Sequence, residues 1–391
     1  GGKDGGPDGN GPDGGQDSSI DDGGLGVDTD TDSGTDGNGE HTDNPKTCAQ
    51  AAEARSYVGC DFWPTVTANP VWTEFDFAVV VANGGSDTAE VTVTGPAGFA
   101  TTVSVPGGGL ETIKLPWVDG LKGPEFSLGA AGESATTKGR LQTSLSMEKG
   151  AYHLTSSLPI TAWQFNPLQY RKDRADCGRI TLTADATECR AASNDASLLL
   201  PTAAMTGNYR IAGYSGARGD DNWGSAPSTI AITATADGTT VDLQLPPNCE
   251  AVYTDKSNGC VVGGGVVSDA VKNEVLSFTM NQGDVIEVLA AYGPYPQIAH
   301  ADLSGALINA SQPIQVISLN AIANIPDEVG NADHMEETVL PAEVIGKSYV
   351  VAPPTSYGGA PRGHVVRFYG NVYGTKLTYP QCKPAGVPDS L

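Results

Sequence analysis

Short runs of alternating β-branched or aromatic residues, separated by Gly, Asn and Pro, recur from about Phe75 onward. A period of two places every second side chain on one face of a strand, and the Gly, Asn and Pro residues between the runs favour turns. Residues 47–56 are the only stretch whose apolar residues follow the spacing of an amphipathic helix acceptably. The sequence therefore predicts an all-β fold. Its strands are expected at 75–82, 89–94, 101–105, 160–165, 209–212, 229–236, 240–245, 275–280, 285–289, 314–319, 348–352, 365–369 and 376–379.

An internal repeat runs through this β-rich region. A Ser-x-Pro-Ile sequence ends at Ile160 and again at Ile314. Repeated units of six to eight strands each predict tandem β-sandwich-like modules. The alternative is a β-propeller-like arrangement, because blades repeated around a central axis produce similar repeats in the sequence. A second echo, at an offset of 136–140 residues, relates Leu200-Pro201, Gly207, Tyr209 and Gly238-Thr239 to Leu340-Pro341, Gly346, Tyr349 and Gly374-Thr375.

The repeat and the composition together predict five parts. The first part is rich in Gly, Asp and Pro and carries eleven Asp, one Glu and two Lys, a net charge of −10. Such a segment cannot bury enough apolar surface to offset chain entropy, so it is expected to be disordered. The parts are an acidic spacer at 1–46, a first β module at 47–170, a disulfide-containing connector at 171–194, a second β module at 195–325 and a third, truncated β module at 333–391.

The acidic leader is also the place where calcium would associate. Asp28, Asp30 and Asp32 imitate the opening of a calcium loop, but Ser33 and Gly39 occupy the positions where an EF-hand has Gly and Glu. Weak Ca²⁺ association is the most that this pattern supports, and no cofactor is expected.

Six of the seven cysteines fall into three close pairs, and none has CxxC spacing. Local disulfides are therefore predicted, and they imply a compartment outside the reducing cytosol. Cys382 has no partner in this scheme and is expected to stay free or to pair outside the chain. The predicted disulfides are Cys48–Cys60, Cys177–Cys189 and Cys249–Cys260.

Charge and hydropathy exclude two classes of partner. The formal net charge is −24 and no cluster of Lys and Arg occurs, so nucleic acid is not an expected ligand. No apolar run approaches the ~20 residues that a membrane helix requires. Membrane attachment is expected only through an N-terminal lipid anchor that is not part of this sequence.

Motifs for catalysis are missing from the sequence. It contains no GxSxG elbow, no GxxxxGK[ST] phosphate loop and no HExxH motif. His334 and Glu336, which alternation places on one face of a strand, are weak metal-ligand candidates. Two ligands are fewer than the three that a catalytic zinc usually has, so neither a metal site nor an enzyme is predicted.

A Gly-rich, strand-free loop at residues 213–227 is the predicted binding site. It gathers Tyr214, Arg218 and Trp223 within ten residues. Tyr, Arg and Trp are enriched at binding hot spots, and functional residues concentrate on loops held by a rigid scaffold.

Several segments resemble the bacterial branch of the IgGFc-binding protein N-terminal domain family, over about residues 55–380. They are residues 56–63, 75–83, 151–170, 193–209 and 332–337. The resemblance implies a lipoprotein-like protein on the outer surface of a Gram-negative bacterium, with an interaction role and no enzyme activity. It also implies a longer domain than this chain contains.

These observations predict a secreted or surface-exposed, non-enzymatic binding or adhesion protein that recognises an extracellular protein or glycoprotein. One alternative is a carbohydrate-binding module, whose stacking platform would use Trp163, Trp223, Tyr292 and Tyr295. The other is a β-rich, metal-dependent hydrolase, which requires acidic residues paired in a cleft.

Overall fold

Antiparallel strands dominate the regular structure. The computed structural model describes residues 45–125, 143–180, 182, 184–191, 194–216, 226–249, 259–292, 301–326, 332–352, 359, 364–372, 374–379 and 383. Two short helices, α1 (Cys48–Ala54) and α2 (Asp119–Lys122), accompany the strands, so the predicted all-β class is confirmed. The strands are β1 (Gly59–Phe62), β2 (Phe77–Ala82), β3 (Ala89–Thr94), β4 (Ala100–Val105), β5 (Leu110–Leu115), β6 (Leu145–Met147), β7 (His153–Asn166), β8 (Arg171–Asp173), β9 (Glu188–Arg190), β10 (Asp195–Leu198), β11 (Asn208–Arg210), β12 (Ser228–Ala234), β13 (Thr239–Gln244), β14 (Val261–Val262), β15 (Val275–Met280), β16 (Val285–Ala290), β17 (Leu307–Ala310), β18 (Ile314–Ala323) and β19 (Asp333–Thr338).

Seven strands form a first sandwich whose two layers share the long strand β7. The N-terminal half of β7 lies between β1 and β3, with β4 outside β3. The C-terminal half lies between β10 and β2, with β5 outside β2. Inward-facing residues of both layers fill one core, for example Val91 and Val93 from one layer and Val79 and Val81 from the other.

The second sandwich repeats this strand order. One layer runs β11-β17-β13-β15, and the other runs β19-β18-β12-β16, with β14 and β6 along the outer side of β16. Val241 and Ile308 from the first layer share a buried core with Ile230 and Val288 from the second. Strands β1–β5 correspond in order to β11, β12, β13, β15 and β16, while β7 corresponds to β17 plus β18, and β10 corresponds to β19. The sequence repeat therefore corresponds to a repeated topology.

A strand-free segment at residues 63–70, which we call the strap, is buried between the two sandwiches. Side chains from both sides bind its backbone: the Gln164 amide of β7 bonds to N and O of Thr65 at 3.0 Å each, and Ala68 N donates to Glu287 Oε1 of β16 at 3.1 Å. Buried backbone groups without ladder partners need such bonds. The strap explains why β12 and β18 are buried on both faces, one against the core and one against the strap.

Three strands cross the module boundaries that the sequence predicts. β10, from the predicted second module, is an edge strand of the first sandwich, and β19, from the predicted third module, pairs with β18. β6, from the predicted first module, pairs with β16. Residues Thr42–Leu391 belong to one structural unit. The division into folding modules at 47–170, 195–325 and 333–391 stays a prediction.

The three predicted disulfides are present, so the cysteine pairing is confirmed. Their Cα–Cα separations are 5.7 Å for Cys48–Cys60, 5.9 Å for Cys177–Cys189 and 5.1 Å for Cys249–Cys260. These distances lie within the ordinary range of disulfides. Cys382 lies outside the described residues, as do Arg218, Trp223 and residues 1–44.

Residues 339–379 follow β19 without forming a strand in their described part. The strands predicted at 348–352, 365–369 and 376–379 are therefore wrong. A strand requires backbone hydrogen bonds to a neighbouring strand, and a favourable sequence pattern does not replace them. Local pattern alone thus overestimates strand content in this segment.

Candidate functional site

The loops at one end of the second sandwich meet the C-terminal segment 364–372 at an ordered polar cluster. Arg367 is its centre: Nη2 pairs with Asp302 Oδ2 at 2.6 Å, and Nη1 donates to Ser304 Oγ at 3.1 Å and to Gly213 O at 2.5 Å. We call this cluster the junction surface; its members are Tyr214, Asp302, Ser304, Arg367 and Tyr369.

Close backbone approach at Gly213 holds the two sides of the junction surface together. Its carbonyl oxygen also accepts a hydrogen bond from the Tyr369 hydroxyl at 3.0 Å. A Cβ atom at Gly213 would lie 2.6 Å from Ser318 Oγ of β18, so a larger residue would push this loop away from the sheet. Asn320 Nδ2, also on β18, donates to Tyr214 O at 3.2 Å. The sandwich therefore fixes the position of the loop.

Two tyrosine rings flank the Arg367 guanidinium. Its central carbon lies 5.3 Å from the ring centroid of Tyr214 and 5.6 Å from that of Tyr369, within the range of cation–π attraction. Burial raises the pKa of the Tyr369 hydroxyl, which therefore stays a hydrogen-bond donor. The Arg367 side chain remains 35% exposed. The result is a hydrogen-bonded, partly exposed surface of residue types that are enriched at binding hot spots.

A groove of about 460 Å³ lies beside the junction surface and shares Ser304 and Tyr369 with it. Arg210 also lines the groove, where Nη1 donates to Gly305 O at 3.1 Å and Nη2 to Asn371 O at 3.2 Å. Among the described residues, no Asp, Glu, His or Cys lines it, so it lacks the groups most often used in general acid–base catalysis. The rest of its lining is mostly apolar or amide: Gln244, Leu245, Pro246, Pro247, Asn248, Asn273, Leu307, Phe368, Gly370 and Val372.

The structure brings one of the three predicted binding residues into this cluster. Tyr214 belongs to the junction surface, whereas Arg218 and Trp223 lie in the range 217–225, outside the described residues. The sequence reasoning missed Arg367 and Asp302. A charged residue in the middle of the otherwise apolar and aromatic run at 365–369 was the signal that could have identified Arg367.

The weak metal candidates His334 and Glu336 share one face of β19, as predicted, and that face is buried. His334 Nε2 lies 3.4 Å from Glu336 Oε2. The Glu336 oxygens also accept bonds from Thr67 Oγ1 at 2.6 Å, Gln164 Nε2 at 2.9 Å and Asn166 Nδ2 at 3.1 Å. These protein donors occupy the positions that a metal ion would need, so the pair serves the interior of the fold.

Two buried carboxyls near the strap titrate in opposite directions. Burial alone would raise the pKa of Glu336, but the hydrogen bonds and charge of His334, together with Thr67 and Gln164, hold it below the ordinary value. Burial raises the pKa of Glu287 well above its ordinary value. Glu287 Oε2 is buried without a hydrogen-bond partner. Burial thus favours the protonated form of Glu287, whereas the donors around Glu336 favour its ionised form.

Replacing Glu287 by Gln is expected to stabilise the protein at neutral pH by about 1–2 kcal/mol. Because its pKa is raised on folding, Glu287 contributes fully below the ordinary pKa of Glu and progressively less as pH rises. Gln stays neutral and keeps an acceptor for Ala68 N. Chemical denaturation at about pH 5 and about pH 8 should show an advantage of the variant that grows with pH. An advantage that is the same at both values would contradict this assignment.

His153 and Asp61 form the other histidine–carboxylate pair of the described residues, with Nε2 2.7 Å from Oδ2. Trp63 stacks on His153 with ring centroids 4.2 Å apart. Thr202 Oγ1 donates to Asp61 Oδ1, so the hydroxyl and the imidazole share one carboxylate. A nucleophilic triad instead needs the hydroxyl beside the imidazole and the carboxylate behind it. This pair therefore joins β1 to β7 and to the start of the second sandwich.

The described ranges offer neither a metal cluster nor a membrane-spanning helix. No group of three or more His, Cys, Asp or Glu residues that could hold a metal ion occurs in them. Neither described helix has the length and apolar character needed to cross a membrane.

Comparison with known proteins gives one match. A family model described as IgGFc binding protein matches residues 195–391, just over half of the chain. No curated protein and no solved structure matches. The matched range begins at β10 and includes the whole junction surface and every strand of the second sandwich except β6. Residues 55–194, part of the predicted resemblance, lie outside it. The chain belongs to the IgGFc binding protein family.

Proposed function

We propose that this protein is an extracellular, non-enzymatic binding protein that captures a protein or glycoprotein partner on the junction surface and its groove. The family match carries the proposal, because it covers every residue of that surface. The description of the family names IgG Fc, which makes an Fc fragment the first partner to test. The proposed location is the outer surface of a Gram-negative bacterium, reached through a lipid anchor N-terminal to this sequence.

The disulfides and the leader support an extracellular location. Three disulfides would not persist in the reducing cytosol. The segment 1–46, with its net charge of −10, is proposed to be a flexible spacer, since Gly keeps a chain flexible and like charges extend it. A spacer of this kind would hold the sandwiches away from the cell surface.

The junction surface supports protein recognition. Its two tyrosines and Arg367 are held by hydrogen bonds before any partner arrives, so less entropy is lost on binding. Arg218 and Trp223 follow Tyr214 closely in the chain, and we include them in the same binding surface. Net acidity and the absence of a Lys/Arg cluster in the sequence argue against a nucleic-acid partner.

Replacing Tyr214 by Ala, and in a separate variant Arg367 by Lys, is expected to weaken partner binding at least about 30-fold. The first change removes an aromatic anchor, and the second keeps the positive charge but loses the planar fork that Arg367 uses. The measurement is biolayer interferometry of the immobilised chain against Fc, deglycosylated Fc and a panel of surface glycoproteins.

Arg171→Lys is the matched control, because it makes the same exchange at an arginine whose side chain is 71% exposed and which lies outside the junction surface. Its binding should equal that of the parent chain. Binding that neither Tyr214→Ala nor Arg367→Lys weakens would overturn the location of the site. Binding on a glycan array alone would favour a carbohydrate-binding module, and hydrolysis that EDTA abolishes would favour a metal-dependent enzyme.

A further inference from the structure

The segment that follows β19 repeats the local structure that opens the second sandwich. Pro201 and Pro341 each precede a 3₁₀ turn, at Thr202–Ala204 and Ala342–Val344. Further on, Gly238 and Gly374 both have positive φ, +67° and +77°, a conformation that favours glycine. The echo of 136–140 residues in the sequence is therefore also an echo in backbone structure.

Equivalent residues of the two repeats differ in how far they are buried. Tyr209 is 2% exposed and its hydroxyl donates to Ile314 O at 2.6 Å, whereas its counterpart Tyr349 is 66% exposed. Val350, next to Tyr349, is 96% exposed. We define the open face as five of the apolar side chains that this segment exposes: Tyr349, Val350, Val351, Val365 and Val366.

The order of the strands along the chain explains this difference in burial. In the second sandwich β11 pairs with β17, β12 pairs with β16 and β18, and β13 pairs with β15 and β17. The three opening strands thus depend on strands from later in the chain, because they are not paired with one another. The corresponding runs at 348–352, 365–369 and 376–379 have strand-like sequences and no such neighbours among the described residues.

The start of the segment is nevertheless anchored on the second sandwich. Pro341 forms a bridge with Tyr209, and Glu343 accepts hydrogen bonds from Thr206 Oγ1 at 3.0 Å and Asn208 Nδ2 at 2.6 Å. The segment is therefore held here at its start, and again at the junction surface through Arg367 and Tyr369, while the open face is presented to solvent.

We propose that the described residues between 341 and 379 belong to the first half of a third sandwich. The open face is then the docking site for the second half of this module, which the same polypeptide carries. The docking strands would be counterparts of β15–β18 and rich in Val, Ile and Leu. They would also provide a backbone carbonyl that accepts a hydrogen bond from the Tyr349 hydroxyl, as Ile314 O does for Tyr209. A second copy of this chain fits less well, because its own β15–β18 are already paired within its second sandwich.

The test is an extended chain in which a second copy of residues 245–338 follows Leu391. Amide hydrogen exchange at 348–351 and 365–369 should become roughly 100-fold slower than in the 391-residue chain, because these amides enter a sheet. The control extension carries Asp in place of the copies of Ile314 and Val316, which are core residues of the second sandwich, and it should give no protection. Exchange that stays fast in the extended chain overturns the proposal.

A matched pair of variants tests the 391-residue chain itself. Tyr209→Ala should lower Tm by about 10 °C, and Tyr349→Ala should leave Tm within about 2 °C of the parent. Equal losses would show that the open face is already covered, and would overturn the proposal. A stable dimer in size-exclusion chromatography with light scattering, with the same amides protected, would assign the open face to a second copy and would also overturn it.

Discussion

Replacing Glu336 by Ala is expected to lower the free energy of unfolding by about 3–5 kcal/mol. The carboxylate is buried between the sandwiches, where Thr67 of the strap and Gln164 and Asn166 of β7 donate to it. Removing it leaves these buried donors unsatisfied, and each such group carries a desolvation cost. Urea denaturation at pH 7 measures the loss.

Glu111→Ala is the control, because Glu111 is also a strand glutamate but lies exposed on β5. It should change stability by no more than about 0.5 kcal/mol. Since the pKa of Glu336 is lowered on folding, its contribution is present above the ordinary pKa of Glu and is lost as pH falls through the lowered value. The difference between parent and Glu336→Ala should therefore shrink in acid, and losses of equal size in the two variants would contradict this role.

Replacing both Cys249 and Cys260 by Ala is expected to cost about 3 kcal/mol. The disulfide closes a loop of sequence separation 11, which restricts the unfolded chain, and both cysteines are buried in the core of the second sandwich. The change therefore also removes sulfur atoms that fill core space. Thermal and urea unfolding under non-reducing conditions measure the loss.

The corresponding double variant of Cys48 and Cys60 opens a loop of nearly the same size, sequence separation 12, but these cysteines are only half-buried. It should cost less than the double variant of Cys249 and Cys260. An unchanged stability after removal of Cys249–Cys260 would contradict the prediction.

Local pattern located some strands well and missed others whose partners are also present in the chain, for example β5 and β17. The runs predicted at 89–94 and 275–280 coincide with β3 and β15 residue for residue, and the one predicted helix, at 47–56, contains α1. The three runs after residue 340 are similarly rich in β-branched and aromatic residues, but their strands do not form. A local sequence pattern describes one strand by itself. A strand forms only when it can pair with neighbouring strands, which are often distant in sequence.

The candidate site was predictable to the same limited degree. Composition of the loop at 213–227 selected Tyr214, which lies in the junction surface, and its binding role stays a prediction. Alternation placed His334 and Glu336 on one face of a strand. The pairing of Arg367 with Asp302, and the donors around Glu336, depend on tertiary contacts between residues far apart in sequence. No local pattern in the chain encodes such contacts.

Hydrogen exchange of the complex with a captured partner tests the binding surface most directly. The free and bound protein would be compared by mass spectrometry, peptide by peptide. We expect slower exchange at residues 211–216, 301–305 and 364–372, which carry the junction surface, and unchanged exchange in β3 and β4 of the first sandwich. Protection confined to the first sandwich, with no change at the junction surface, would contradict the proposed function of this surface.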